Sequence, residues 1–183
     1  MAELRVPVYT GDHLRGATRA PVTLVIYGDY ECPYTRRAYR VVQTLLEAEP
    51  DTLSFVFRHF PLTTIHPHAQ HAAEAAEAAA AQSRFWEMHD ALFAHQRALE
   101  DTDLRRYAGD LELDAQQFEH DLVTHAHARR IADDVRSGLE SGVRGTPTLY
   151  FNGHLHSGGY DEEALRATLA QLTAGASAPH ESL

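Results

Sequence analysis

The chain has almost no sulfur: one cysteine, Cys32, and two methionines in 183 residues. A solitary thiol excludes any internal disulfide, and with it a disulfide-stapled scaffold. Lysine is absent, and all 16 basic residues are arginine, which reads as coding bias rather than mechanism. Positive charge is scarce overall. Against 26 acidic residues it leaves a net charge of −10, a surface that repels nucleic acid and anionic membranes, so neither is expected as a partner. No run approaches the roughly 18 apolar residues of a membrane span. Met1 to Ala20 lacks a basic start followed by an apolar core, so no signal peptide is expected. With the single cysteine, this predicts a cytoplasmic protein. Oligomeric state leaves no signal.

Apolar residues make up 44% of the chain, enough for a core. Val22 to Tyr27 is an apolar, β-branched run between Pro21 and Gly28 and reads as a buried strand. After Cys32, the residues Ala38, Val41, Val42, Leu45 and Leu46 recur at helical spacing, with Pro33 suited to the first turn. Leu53 to Phe57 reads as a second strand, completing a βαβ unit with a right-handed crossover. From about His66 to Gly142 the pattern is helical. Phe85, Met88 and Leu92 share one face, and Asp114 with Gln117 has the spacing of a capping box. Ala128, Ile131, Ala132, Val135 and Leu139 form a stripe that Gly142 stops. Strand signals return at Thr148 to Phe151. Asn152-Gly153 then predicts a tight hairpin with His154 to Ser157 as the return strand. Asp161 caps a last helix carrying Leu165, Leu169 and Leu172, followed by a small, polar tail. The order predicts an α/β fold: one mixed sheet whose halves are separated by an inserted helical block.

The chemistry gathers at Cys32. A helix N-terminus presents unpaired amides and the positive end of the dipole, both of which favour a thiolate over a thiol. Thr35 occupies the position where a CxxC motif has its second cysteine, and its hydroxyl could donate a hydrogen bond to the sulfur. Glu31 opposes ionisation if it points inward. The competing reading is a buried cysteine acting as a small hydrophobe. Pro147, in Gly145-Thr146-Pro147-Thr148, precedes a strand; from the residues alone it is an ordinary strand-entry proline.

The segment Gly28-Asp29-Tyr30-Glu31-Cys32-Pro33-Tyr34 resembles the active-site segment of DsbA-like thioredoxin-fold proteins. Arg58 to Leu62, His66-Pro67, Phe85-Trp86, His89-Asp90 and Leu92-Phe93 resemble that family's helical insertion, and Gly142 to Thr148 with Asn152-Gly153 its return to the sheet. The resemblance runs from about Asp12 to Leu172. It implies a thioredoxin-like domain over residues 1–62 and 143–175 and an inserted all-helical domain over 63–142; the small, polar composition predicts a flexible tail over 176–183. The resemblance also implies that Pro147 is cis and lies beside Cys32, and that Thr146 offers its backbone to an extended peptide. Cys32, Thr35 and Pro147 are then the catalytic set, with Pro33, Tyr34 and Thr146 as the substrate-binding wall.

The chain departs from the family at Thr35, which leaves no second thiol to resolve a mixed disulfide. A monothiol route remains. Cys32 attacks a disulfide in a protein or small molecule, and a low-molecular-weight thiol such as glutathione, a co-substrate rather than a bound cofactor, resolves the adduct. Two alternatives are a redox-inactive binding or holdase module and an enzyme like the kappa-type glutathione transferases. The chain has 13 histidines. His66, His68 and His71 invite a metal reading, as do His154 and His156, but no acidic or cysteine partner has motif spacing, so no metal site is expected. His66 and His89 are expected to support the helical block, Trp86 the core. Arg58 is read as an ordinary solvent-facing arginine, against a structural ion pair or a glutathione contact, and Asp29 as a loop residue.

Overall fold

A computed structural model of the protein describes residues 3–176. It is a mixed five-stranded sheet with order β1-β3-β2-β4-β5. β2 (Val22–Gly28) leads through Cys32 into α1 (Pro33–Ala48), and β3 (Leu53–His59) returns parallel to β2, from Val22 opposite Leu53 to Gly28 opposite His59. β1 (His13–Gly16) runs antiparallel to β3 at one edge. β4 (Thr148–Phe151) runs antiparallel to β2, and β5 (His154–Leu155) closes the other edge. Between the halves come α2 (Ala69–Ala80), α3 (Phe85–Ala94), α4 (Asp101–Asp110), α5 (Ala115–Val123) and α6 (Ala128–Ser141); α7 (Glu162–Ala176) ends the described chain. The expected tail from 176 onward lies, beyond Ala176, outside the described residues.

The period-2 alternation of strands sorts side chains onto two faces. Leu24, Ile26, Phe55, Phe57, Leu149 and Phe151 enter one large cluster with α1, α7 and the helices α2 to α5. Val25, Tyr27, Val56 and Tyr150 form a second cluster with Phe60 and Val143 on the opposite face.

That second face is covered by α6, and here the expected stripe fails. Leu139 is half exposed, while Ile131, Asp134, Ser137, Gly138 and Ser141 are buried. The reason is close approach. A Cβ on Gly138 would stand 2.9 Å from the Phe60 ring and 3.0 Å from the Tyr27 ring. Each buried polar group is paired. Asp134 accepts from the His59 amide at 2.9 Å, Ser137 Oγ meets the Tyr27 hydroxyl at 2.8 Å, and the Ser141 carbonyl accepts from Tyr150 at 2.8 Å. A helix packed through small and satisfied polar residues buries a face that its apolar spacing does not mark. Gly142, at φ 94°, ends it in the left-handed conformation that suits glycine.

Local signals elsewhere hold with small differences. Asp114 caps α5 by accepting from the Gln116 and Gln117 amides. The reciprocal half of the expected box comes from Gln82, whose Oε1 accepts from the Asp114 amide at 2.7 Å. Asn152 and Gly153 both have positive φ, as a tight hairpin requires. The return strand is two residues long, not four; the His156 amide still donates to the Leu149 carbonyl at 2.8 Å, and its ring lies 2.8 Å from the Gly159 carbonyl. Asp161 caps α7 through the Ala164 amide. β1 had no signal: four residues without a β-branched side chain, held in place by pairing with β3.

Arg58 does not face solvent. Its side chain is 1% exposed and makes two bonds to Asp12, at 2.9 and 2.8 Å. It also donates to the Tyr27 hydroxyl and to the Val6 and Pro7 carbonyls. The guanidinium thereby clamps the N-terminal segment across the second face of the sheet. His89, fully buried, packs edge-on against Tyr39 and Phe57. Burial, reinforced by the positive charge of Arg15, holds it well below its ordinary value of 6.5. Burial alone would raise Glu77, but hydrogen bonds from His13 and His59 outweigh it and hold that carboxyl far below the usual range.

Two tests follow from these buried titratable groups. Asp12→Asn leaves the Arg58 charge uncompensated and is expected to cost about 3–5 kcal/mol, read by urea denaturation; a loss under about 1 kcal/mol would mean that solvent reaches the guanidinium. Between the lowered pKa of folded His89 and 6.5, the unfolded chain binds the proton and the native one does not, so stability rises with pH there. Glu77 adds a loss of the same sign below its ordinary 4.5. The urea midpoint is therefore expected to drop on acidification from about pH 7 to about pH 5, and His89→Gln to flatten that slope. A native midpoint unchanged over the interval contradicts a neutral, buried His89.

Candidate active site around Cys32

Cys32 is the N-cap of α1, with an extended backbone and Pro33 at the first helical position. Its amide donates to the Asp29 carbonyl at 3.2 Å, and its carbonyl accepts from the Arg36 amide at 3.2 Å. The side chain does not cap the helix. Instead Sγ donates to the Thr146 carbonyl at 3.3 Å. That contact sets the loop entering β4 against the sulfur, and the Thr146–Pro147 peptide bond is cis. Cys32 is 3% exposed. Pro33 and Tyr34, the next two residues, are exposed, and Tyr34 stands 60% free. Thr146 and Pro147 are half-buried. The structure thus brings Cys32, Thr146 and Pro147 together, with Pro33 and Tyr34 on the open side.

Thr35 departs from the expected contact. It is fully buried, and its hydroxyl accepts from the Asp29 amide at 3.4 Å. No hydrogen bond from Thr35 to the sulfur forms among the described residues. One turn into α1, the side chain points under the Cys32 loop, with its methyl close against Gly28.

The residues that shape the loop are ones the sequence undervalued. Asp29 is buried, and its carboxylate accepts from the Glu31 amide at 2.7 Å, the Leu62 amide at 2.8 Å and His66 Nδ1 at 2.8 Å. Glu31 turns away from the thiol and accepts from the His68 amide at the start of α2, at 2.8 Å. Gln96, in the connection after α3, donates to the carbonyls of both Tyr30 and Cys32, at 2.7 and 2.8 Å. Its only sequence signal was a polar residue following an apolar helix face. Tyr30 closes the underside, its hydroxyl 2.8 Å from His89 Nδ1. Beside Pro33 a groove of about 470 Å³ opens between Glu31, His68, Gln96, Arg97 and Glu100. Its rim carries both signs of charge.

A family profile described as Thioredoxin matches residues 9–171, and the chain belongs to that family. Among solved structures, a thioredoxin-like oxidoreductase from Silicibacter pomeroyi is similar, with TM-score 0.79, 28% identity, and 91% of this chain and 94% of that one covered. BdbD from Bacillus subtilis matches with TM-score 0.79 and 21% identity over 92% and 96% of the two chains. Alpha-DsbA1 from Wolbachia pipientis matches with TM-score 0.80 and 22% identity over 94% and 96%. The protein is therefore a single-cysteine thioredoxin-fold chain with an inserted helical domain, structurally matching DsbA-like thiol-disulfide oxidoreductases.

Curated relatives include "Na(+)/H(+) antiporter NhaA 3" of Salinispora tropica, 51% identical over 95% of this chain, and "Na(+)/H(+) antiporter NhaA 1" of Mycobacterium sp. (strain KMS), 44% identical over 84%. The chain spans about a quarter of their length, 27% and 25%. No described helix is long and apolar enough to cross a membrane. The cytoplasmic placement does not stand, because DsbA-like family members are typically periplasmic. A lone thiol was a poor guide to compartment: disulfide usage records the redox environment only where two cysteines can pair.

Gln96→Ala takes its donor from the Tyr30 carbonyl and leaves the Cys32 carbonyl with the Arg36 amide alone. The expected cost is about 1–3 kcal/mol in stability, accompanied by slower reaction of Cys32 with a disulfide. Urea denaturation and thiol-exchange rates check both; unchanged values in the two assays would remove Gln96 from the site.

Proposed function

We propose, from that family membership, that the chain exchanges disulfides through Cys32 alone, with Thr146 and Pro147 forming the wall against which the substrate disulfide lies. The observation that carries this reading is the sulfur at a helix start, 3.3 Å from the Thr146 carbonyl. The deprotonated sulfur attacks one sulfur of a substrate disulfide. An S–S bond to Cys32 forms, the substrate S–S bond breaks, and the leaving thiolate takes a proton from water. A small external thiolate then attacks the Cys32 adduct, regenerates Cys32 and carries off the partner sulfur as a new disulfide. The electrons come from the external thiol, as they must in a chain with one cysteine. Pro33 and Tyr34 supply exposed contact surface for the substrate, and the cis-proline loop offers the Thr146 backbone. Thr35 keeps the loop in shape from below. The substrates are disulfide-bearing proteins or small molecules.

The match covers only about a quarter of the antiporter relatives' own length, so their ion exchange is not carried over.

Incubation with oxidised glutathione is expected to add one glutathionyl group, seen by intact mass and removed by reduced thiol. Cys32→Ser abolishes the adduct. Thr35→Cys is expected to release the glutathionyl group without added thiol, closing a bond between positions 32 and 35. A protein inert to oxidised glutathione and to other small disulfides defeats the proposal.

A further inference from the structure

Away from Cys32, the helical block gathers a second set of reactive side chains. On α2, Glu74 is buried, its side chain 2% exposed, although it lies on an alanine-rich helix. One of its oxygens accepts from Gln70 Nε2 at 2.8 Å. The other lies 2.8 Å from His125 Nδ1, on the turn between α5 and α6. His71 stands one turn before Glu74, and its ring centroid is 5.5 Å from that of His125. A ligand atom from each of His71, Glu74 and His125 lies within 4.8 Å of the others.

We propose that His71, Glu74 and His125 form a zinc site with three protein ligands and one position open to water. Tetrahedral coordination at about 2.0–2.2 Å puts ligand atoms roughly 3.3 Å apart, so small side-chain rotations suffice to close the triangle. Two imidazoles and a carboxylate suit a first-row divalent ion. The surrounding groups are arranged as metal ligands require. Asp101 holds His71 Nδ1 at 2.9 Å, which leaves Nε2 with the lone pair for a metal. Gln70 anchors the Glu74 oxygen that His125 does not touch. His125 itself has φ 52°, a backbone conformation that non-glycine residues rarely adopt. The ring it aims at Glu74 is 56% exposed, and that of His71 is 36% exposed, so an ion has a path in from solvent. A second cluster, His13, His59 and Glu77, lacks these features. One Glu77 oxygen lies 2.8 Å from Nε2 of both histidines, and with His59 and Glu77 buried and His13 partly so the group is closed as an internal hydrogen-bond network.

Zinc here would tie α2 to the α5–α6 turn across the face of the helical block. The test uses the 183-residue chain carrying Cys32→Ser, so that the thiol cannot bind metal. Zinc chloride titrated against a competing chelator at neutral pH is expected to give one bound ion per chain and a raised melting temperature. His71→Gln and His125→Asn, the latter compatible with positive φ, are each expected to weaken binding at least about tenfold. Asp101→Asn weakens it less, and His13→Gln leaves it intact. Thermal melts without metal verify that each variant folds, and if one fails to fold the other carries the comparison. Absence of binding, or equal affinity in His71→Gln, His125→Asn and the parent, overturns the site.

Discussion

The buried carboxylate of Asp29 is the constraint on which the reactive loop depends. A carboxylate taken out of water must be fully hydrogen-bonded or it costs several kcal/mol. Three donors meet that demand from three parts of the chain: the Glu31 amide in the loop itself, the Leu62 amide after β3 and the His66 ring ahead of α2. Satisfying one charge thus fixes the path between the sheet and the helical block. It also fixes where α1 begins, and so where Cys32 sits. Gln96 completes the arrangement from the opposite side by holding the Tyr30 and Cys32 carbonyls.

The thiol is positioned by backbone more than by side chains. Its neighbours are the first turn of α1, the cis-proline loop and the Thr146 carbonyl. None of these depends on a second cysteine. Replacing the usual partner by Thr35 therefore leaves the architecture of the site standing while removing the internal route that would resolve a mixed disulfide. The fully buried threonine fills the space under the loop, accepts from the Asp29 amide and donates nothing to the sulfur.

Much of this was readable where the code is local. The β-branched run Val22 to Tyr27, the amphipathic spacing behind Cys32, the Asp114 and Asp161 caps and the Asn152-Gly153 turn each specify structure within a few residues, and the elements appear there. What escaped is what tertiary packing decides. The burial of Arg58 depends on Asp12, 46 positions away. The polar inner face of α6 depends on the proximity of Phe60 and Tyr27. Gln96 and Asp29 look like ordinary polar residues until the chain closes around them. The histidines divide the same way: His71 finds its carboxylate neighbour three residues on, but its imidazole neighbour, His125, only through the fold.

The two bonds from Gln96 have a further consequence. Together with the bonds from His66 to Asp29 and from the His68 amide to Glu31, this side-chain amide ties the nucleophile's turn to the helical block, so the turn and the block share one cooperative opening event. If the block frayed at the end of α3, the sulfur would lose its seat while the sheet behind it stayed intact. Reactivity would then fade before global melting, and hydrogen exchange at the amides of the loop would follow the block rather than the strands.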